Sequence, residues 1–295
     1  MATQVMTKDD TAAAAADDLG NVVELEHVNV TVPDQILATW FYIVGLGFTR
    51  DPYMNVSPMN MWVNIGGQEF HLPTRGPQVI PGTIGLVVPD LEGLKERLKS
   101  VEPHLEGTKF AWAAKKDHVN ATCPWGNNFR AYEPAPEFGD IVLGVPYIEF
   151  RVKPGTAKGI ARFYEEVMQA SPVTYKGGKD PVAKVSVGHC QELRFRETAD
   201  PIPAYDGHHI AVYVANISAS YNFFEERGLI MEGMRGHQYR FKEIVDPKTG
   251  EPLTTLEHEV RSLQHPMFGR PFVNRNPNQT QGGYRRGEDA FLTAV

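Results

Sequence analysis

The stretch GHHIAVYVAN, Gly207 to Asn216, decides the reading of this chain. Ile210, Val212 and Val214 alternate along it, the period-2 signature of a strand with one face buried. His209 opens that strand. An imidazole at the first residue of a strand, facing a concave sheet, is a natural metal ligand. The alternation turns His209 inward and makes His208 a solvated neighbour. The reading then depends on whether other ligand-type residues arrive at matching places.

They do, because the pattern repeats. VVELEHVNVTVPD reads as a strand from about Val22 to Val32. A short amphipathic helix follows from Leu37 to Val44, stopped by Gly45 and Gly47. Strand-like runs come near Pro52–Val56 and Met61–Ile65, then in GGQEFHLP. TIGLVVPDLEGLKERLKS opens a second copy and VPYIEFRVKPG a third, with a helix from about Ala157 to Met168. GHHIAVYVAN opens the fourth, with its helix near Ile217–Glu226. Strand, helix and three strands, four times over, is the strongest organisational signal in the sequence.

The copies can be registered. Counting back five positions from Val32, Val88, Pro154 and Val214 gives His27, Thr83, Glu149 and His209. The last strands share the patterns QEF, NFRA, QEL and LEH, which give Glu69, Arg130, Glu192 and Glu257.

Composition bounds the function classes. Lys and Arg number 29 against 36 Asp and Glu, a formal charge of −7. That argues against a nucleic-acid partner, which needs a basic face. Cys123 and Cys190 are too few for a disulfide framework and point to a reducing cytoplasm. No apolar run approaches the ~18 residues of a membrane span. Residues 1–21 read as a small, polar, disordered tail. Residues 264–295, rich in Pro, Gly, Asn and Arg, read as a second tail, solvated or draped over the surface. Arg270, Phe272, Arg275, Tyr284, Arg285 and Arg286 give that tail the makings of a lid. Self-association is left open.

At LEHVNVTVPD, PWGNNFRAYEP, GHHIAVYVAN and the paired QEF and QEL strand ends, the chain resembles the vicinal oxygen chelate superfamily. That superfamily includes glyoxalase I, bleomycin-resistance proteins and type I extradiol dioxygenases. The resemblance implies an α+β fold in which two βαβββ units form a cup-shaped mixed sheet around a divalent metal. Four units would make two modules, 22–136 and 142–263.

On that division the second module holds the metal on Glu149, Glu192, His209 and Glu257, resembling the glyoxalase ligand quartet. The cofactor implied is one divalent ion, Fe, Mn, Co, Ni or Zn. Glu149 or Glu257 would be the catalytic base in a lyase or isomerase acting on a small oxygenated substrate through an enediolate. Tyr213, Tyr239 and His189 are candidates to line the substrate pocket. The first module, with His27, Glu69, Thr83 and Arg130, reads as degenerate, since a guanidinium repels a cation. Arg130 there would pair with Glu69 or grip a substrate carboxylate. His71 lies in phase with Glu69. Two further readings stand. One is Fe(II)-dependent extradiol ring cleavage, whose ligand places fall on Glu149, His209 and Glu257, with Glu149 departing from the expected His. The other is a non-enzymatic sequestering protein using Trp62, Trp112 and Trp125.

Overall fold

The structure, a computed structural model, describes residues 18–53, 58–271, 276 and 285. The tail expected over residues 1–17, the end of the strand expected near Pro52–Val56, and Phe272, Arg275, Tyr284 and Arg286 lie outside them. Four βαβββ units follow one another. Unit one contains β1 (Val22–Asn29), α1 (Gln35–Ala38, continuing as a π-helical turn Thr39–Gly45), β2 (Thr49–Arg50), β3 (Asn60–Ile65) and β4 (Gln68–Pro73). Unit two contains β5 (Gly82–Val87), α2 (Leu91–Leu105), β6 (Ala111–Ala114), β7 (Val119–Thr122) and β8 (Asn128–Tyr132). Unit three contains β9 (Tyr147–Val152), α3 (Ala157–Glu166), β10 (Val173–Lys176), β11 (Val182–Gly188) and β12 (Gln191–Glu197). Unit four contains β13 (His209–Val214), α4 (Ile217–Glu226), β14 (Ile230–Arg235), β15 (Gln238–Val245) and β16 (Pro252–Ser262).

The turn from first strand to helix is written in the sequence as Val-Pro-Asp in units one and two. Proline ends the strand and the aspartate caps the helix. Asp34 Oδ1 accepts from the amides of Ile36 and Leu37, and Asp90 Oδ1 from that of Gly93. Along α2, Leu91, Leu94, Leu98, Val101 and Leu105 are buried, the three-to-four spacing of a helix with one apolar stripe. The helices pack into one continuous core with the apolar faces of both sheets. The polar faces, which carry the site residues, look away from it.

The sheets are not assembled as the order of the units suggests. One eight-stranded sheet runs β14-β15-β16-β13-β1-β4-β3-β2 and joins units one and four. The other runs β10-β11-β12-β9-β5-β8-β7-β6 and joins units two and three. The unit boundaries expected from the repeat stand, but the division into 22–136 and 142–263 cuts each cup in half. First strands meet antiparallel, β1 with β13 and β5 with β9. The connectors clasp across the molecule. The amide of Val79, between units one and two, donates to Asp206 Oδ2 between units three and four at 2.6 Å. Gln78 Nε2 donates to the Asp206 carbonyl at 3.0 Å.

The ends are also tied down. The amides of Gly20 and Asn21 donate to the carbonyls of Ser171 and Gln169, so residues 20 and 21 are not part of a loose tail. Residues 264–270 fold back over the cup of units one and four rather than trailing into solvent, as described below.

Candidate metal centre

His27 and His209 are brought together by the pairing of β1 with β13. Across the sheet, Glu69, His27, Ala211, Glu259 and Arg240 form one row of neighbours on β4, β1, β13, β16 and β15. The adjacent row is His71, Asn29, His209 and Glu257. Ala211, with only a methyl group, leaves space between His27 and Glu259, and His209 stands diagonally across it. Ligand atoms of His27, His209 and Glu259 all lie within 4.8 Å of one another.

Polar neighbours orient this trio. A register shift in β1 between Leu25 and His27 turns Glu26 toward the cup as well. Its carboxylate holds His27 Nδ1 and also accepts from Arg261 Nη1 at 2.7 Å. His27 Nε2 is thereby left facing the cup, buried and without a hydrogen-bond partner. Arg261 Nε donates to Glu259 Oε1 at 2.6 Å, and Arg240 pairs with the other Glu259 oxygen. Arg240 also donates to Glu257 Oε1 at 2.6 Å, and that carboxylate oxygen lies 3.8 Å from His209 Nδ1.

Charge states follow from burial and neighbours. Burial, with His27 and Arg240 beside it, pushes His209 down to about 3, so its ring is neutral near pH 7. Burial and the same His27 push His71 down to about 2. Burial alone would raise Glu259, but Arg261, His27 and Arg240 hold it at about 2, ionised. Burial likewise opposes ionisation of Glu26, and Arg261 and His27 hold it well below the usual carboxylate range.

Segment 263–270 closes the unit-one side of the cup. Phe268 packs its ring 4.9 Å from that of Tyr213, with His265 at 6.2 Å. Arg270, 6% exposed, donates to both oxygens of Glu69 at 2.9 and 3.1 Å and reaches Asp51 at 2.6 Å. Burial raises Glu69, the Arg270 guanidinium opposes it, and Asp51 alongside reinforces the rise.

The donor set fits a divalent cation. Two imidazoles and an ionised carboxylate bring their ligand atoms within 4.8 Å of one another. Around them the carboxyl groups of Asp51, Glu26, Glu69, Glu257 and Glu259 pair with the guanidiniums of Arg240, Arg261 and Arg270 in a buried space. His27 Nε2, Asn29 Oδ1, Trp62 Nε1 and Asn64 Oδ1, all in this cup, are buried polar atoms without hydrogen-bond partners. Such groups are rare inside folded chains unless an ion, water or ligand completes them.

The residues expected at the site divide between the two cups. His209, Glu257 and Tyr213 lie in the cup of units one and four, as do His27 and Glu69. Glu149 and Glu192 lie in the other cup, because unit three pairs with unit two. There Glu149 accepts from Arg196 Nη2 at 2.9 Å and Glu192 from Arg194 Nε at 2.8 Å. Neither can join His209, and Glu149 is not the base of this site. Arg130 shares that second cup, so Glu69 takes its guanidinium from Arg270 instead. Tyr239 faces the helix layer, where its hydroxyl lies 2.7 Å from Ser220 Oγ. His189 sits on the exposed β11–β12 turn with Asp140. His208 is buried rather than solvated, its Nδ1 2.7 Å from Asp206 Oδ1. The three tryptophans form no common box: Trp62 stacks on His71 in the metal cup, while Trp112 donates to Glu102 of α2. Glu259 was missed although it shares a face with Glu257 two residues earlier.

The comparisons with known proteins agree with this architecture. Glyoxalase I from Zea mays superposes with a TM-score of 0.55 at 16% identity, over 81% of this chain and 92% of that one. A candidate dioxygenase from Bacillus subtilis subsp. subtilis str. 168 gives 0.56 at 15% identity, over 89% of each chain. The fold is that of the vicinal oxygen chelate superfamily. At these identities the likeness establishes the vicinal oxygen chelate architecture and leaves substrate and reaction to the site. No family model and no curated protein matches the sequence. Among the described residues, no helix is long and apolar enough to cross a membrane.

Proposed function

We propose that the chain is a metal-dependent oxygenase of the ring-cleaving type, acting on a small substrate that presents two adjacent oxygens. The observation that carries this reading is the buried His27 Nε2, which has no partner and lies within 4.8 Å of ligand atoms on His209 and Glu259. Two histidines and one carboxylate with room beside them are the donor set of non-haem Fe(II) oxygenases. Three departures set this chemistry behind a lyase or isomerase: Glu149 at the first ligand place, Gln191 at the place of the acid–base histidine and Glu243 at that of the active-site tyrosine. With His27 in the first ligand place the first of these is removed, and it is the one that bears on the ligand set.

A ferrous ion bound there would supply Lewis acidity toward a chelating substrate and redox capacity toward dioxygen. The chain's own residues do the rest. Glu26 fixes the His27 tautomer so that Nε2 is the ligand atom. Arg261 holds Glu26 and Glu259 ionised at neutral pH. Trp62 and His71, stacked with centroids 4.0 Å apart, make a flat wall beside His27 suited to a planar substrate. Trp62 Nε1 is a donor available to a substrate oxygen.

One observation favours a second reading. Glu257 is not needed as a ligand, yet its carboxylate stands beside His209, where it could serve as base for enolisation of a carbonyl substrate. Two assays on Fe(II)-loaded protein separate the readings. Oxygen uptake and colour with catechols, lost in His209→Ala, are expected. Solvent deuterium entering a 2-oxo or 2-hydroxy substrate without oxygen uptake would favour the isomerase. Absence of any metal that depends on His209 would sink both.

A further inference from the structure

Among the described residues the second cup holds no trio like that of His27, His209 and Glu259, but its rim gathers Asp140, His189 and Cys190. Gly188 to Cys190 form the tight turn between β11 and β12, and Cys190 takes a φ of +58°. That left-handed conformation favours glycine or asparagine and costs a cysteine about 1–2 kcal/mol. It sets the thiol directly over Gly139, in the connector between units two and three. A Cβ on Gly139 would lie 2.1 Å from Cys190 Sγ, and Gly139 itself has φ +61°. Neither residue could be exchanged freely without moving the sulfur. Next in the connector, Asp140 Oδ1 stands 2.9 Å from His189 Nε2 and 4.0 Å from Cys190 Sγ. Ligand atoms of all three lie within 4.8 Å of one another.

We propose that Asp140, His189 and Cys190 form a second metal site, one that takes Zn(II). Ligand bonds of about 2.0–2.3 Å in a tetrahedron place ligand atoms roughly 3.3–3.8 Å apart. The observed separations bracket that range, and the exposed His189 and Asp140 side chains can close the remainder by rotation. A thiolate, an imidazole and a carboxylate suit zinc, whereas the first centre offers only nitrogen and oxygen donors. Three protein ligands leave a fourth position open. It faces a cleft of about 580 Å³ lined in part by Ser186, Gln191, Glu192 and Arg194.

The test uses the full chain stripped of metal and titrated with Zn(II) against a chromogenic chelator. The wild-type chain is expected to take two ions and Cys190→Ser one, with His209→Ala also taking one and the double variant none. With Co(II), a thiolate charge-transfer band should be present in wild type and in His209→Ala and absent from Cys190→Ser. Zinc should also slow modification of the Cys190 thiol by a disulfide reagent. His189→Ala should repeat the Cys190→Ser result. A Cys190→Ser chain that keeps the wild-type stoichiometry, or a wild-type chain without the cobalt–thiolate band, overturns the proposal. Lowered thermal stability in Cys190→Ser with unchanged stoichiometry would mean the cluster merely pins the connector, and overturns it too. If the first centre alone fails, wild type takes one ion and Cys190→Ser none, so the two assignments fall separately.

Discussion

The rings of His27 and His209 stand 6.0 Å apart, centroid to centroid, although they belong to the first and last of four repeated units. The relationship exists because β1 pairs with β13 and not with β5. It turns two residues, one assigned to a degenerate module and one to a metal-holding module, into halves of one site.

Glu26 is the orienting partner of His27. Replacing it with glutamine keeps the size but weakens the acceptor at Nδ1. Affinity for Fe(II) or Mn(II) should fall about 10–100-fold, the usual cost of losing such a partner. His27→Ala should abolish binding at this centre. Competition against a chelator measures both, and an unchanged affinity in Glu26→Gln would remove Glu26 from this role.

Stability of the metal-free chain should depend on pH through the same cup. His71 and His209 have folded-state values depressed to about 2 and 3. Each therefore contributes stability that is complete above about 6.5 and lost as pH falls toward those values. Glu24 works in the opposite sense. Burial, then the nearby Glu26, raises it to about 7, so its contribution is present below about 4.5 and lost as pH rises through 7. Urea midpoints measured across pH should show a shallower acid-side slope in His71→Gln. Glu24→Gln should flatten the slope between about 4.5 and 7. Identical profiles in variants and wild type would contradict these assignments.

Arg270 is shared by Glu69 and Asp51, and all three are buried. Arg270→Met leaves the adjacent buried carboxyl groups of Glu69 and Asp51 without the guanidinium that bonds both. Removing one partner of a buried pair typically costs about 3–5 kcal/mol. Urea denaturation should show a loss of that size. A change below about 1 kcal/mol would place the pair in the weak, solvent-screened class.

A fragment of residues 1–136 contains units one and two, hence half of each cup. It should not unfold cooperatively alone, because β1 and β5 would each lack the partner strand on which they close. Co-expression with 137–295 should restore a cooperative transition. A stable, cooperative 1–136 fragment would support the sequential modules instead.

Much of the fold was legible in the sequence, and the reason is local. Strand periodicity, the Val-Pro-Asp turns and the repeat each depend on neighbouring residues, so units could be bounded and first-strand positions registered. His27, Glu69, His209 and Glu257 fell out of that register. Which unit pairs with which is a long-range choice between near-equivalent strand edges, and nothing local encodes it. The error at Glu149 and Glu192 follows from that one choice. Arg270 was legible only as part of a candidate lid; its partners Asp51 and Glu69 lie far back in the chain, and no local pattern joins them to it. Glu259 was legible and overlooked: alternation alone puts it on the face of Glu257.

The central claim is that His27, His209 and Glu259 jointly hold one divalent ion. Anomalous diffraction from crystals of the manganese-loaded chain tests it most directly, since Mn(II) prefers the nitrogen and oxygen donors of this centre to a thiolate. A peak within bonding distance of His27 Nε2, His209 and Glu259 is the result expected. A peak on Glu149 and Glu192, or no manganese in contact with His27, would contradict the account.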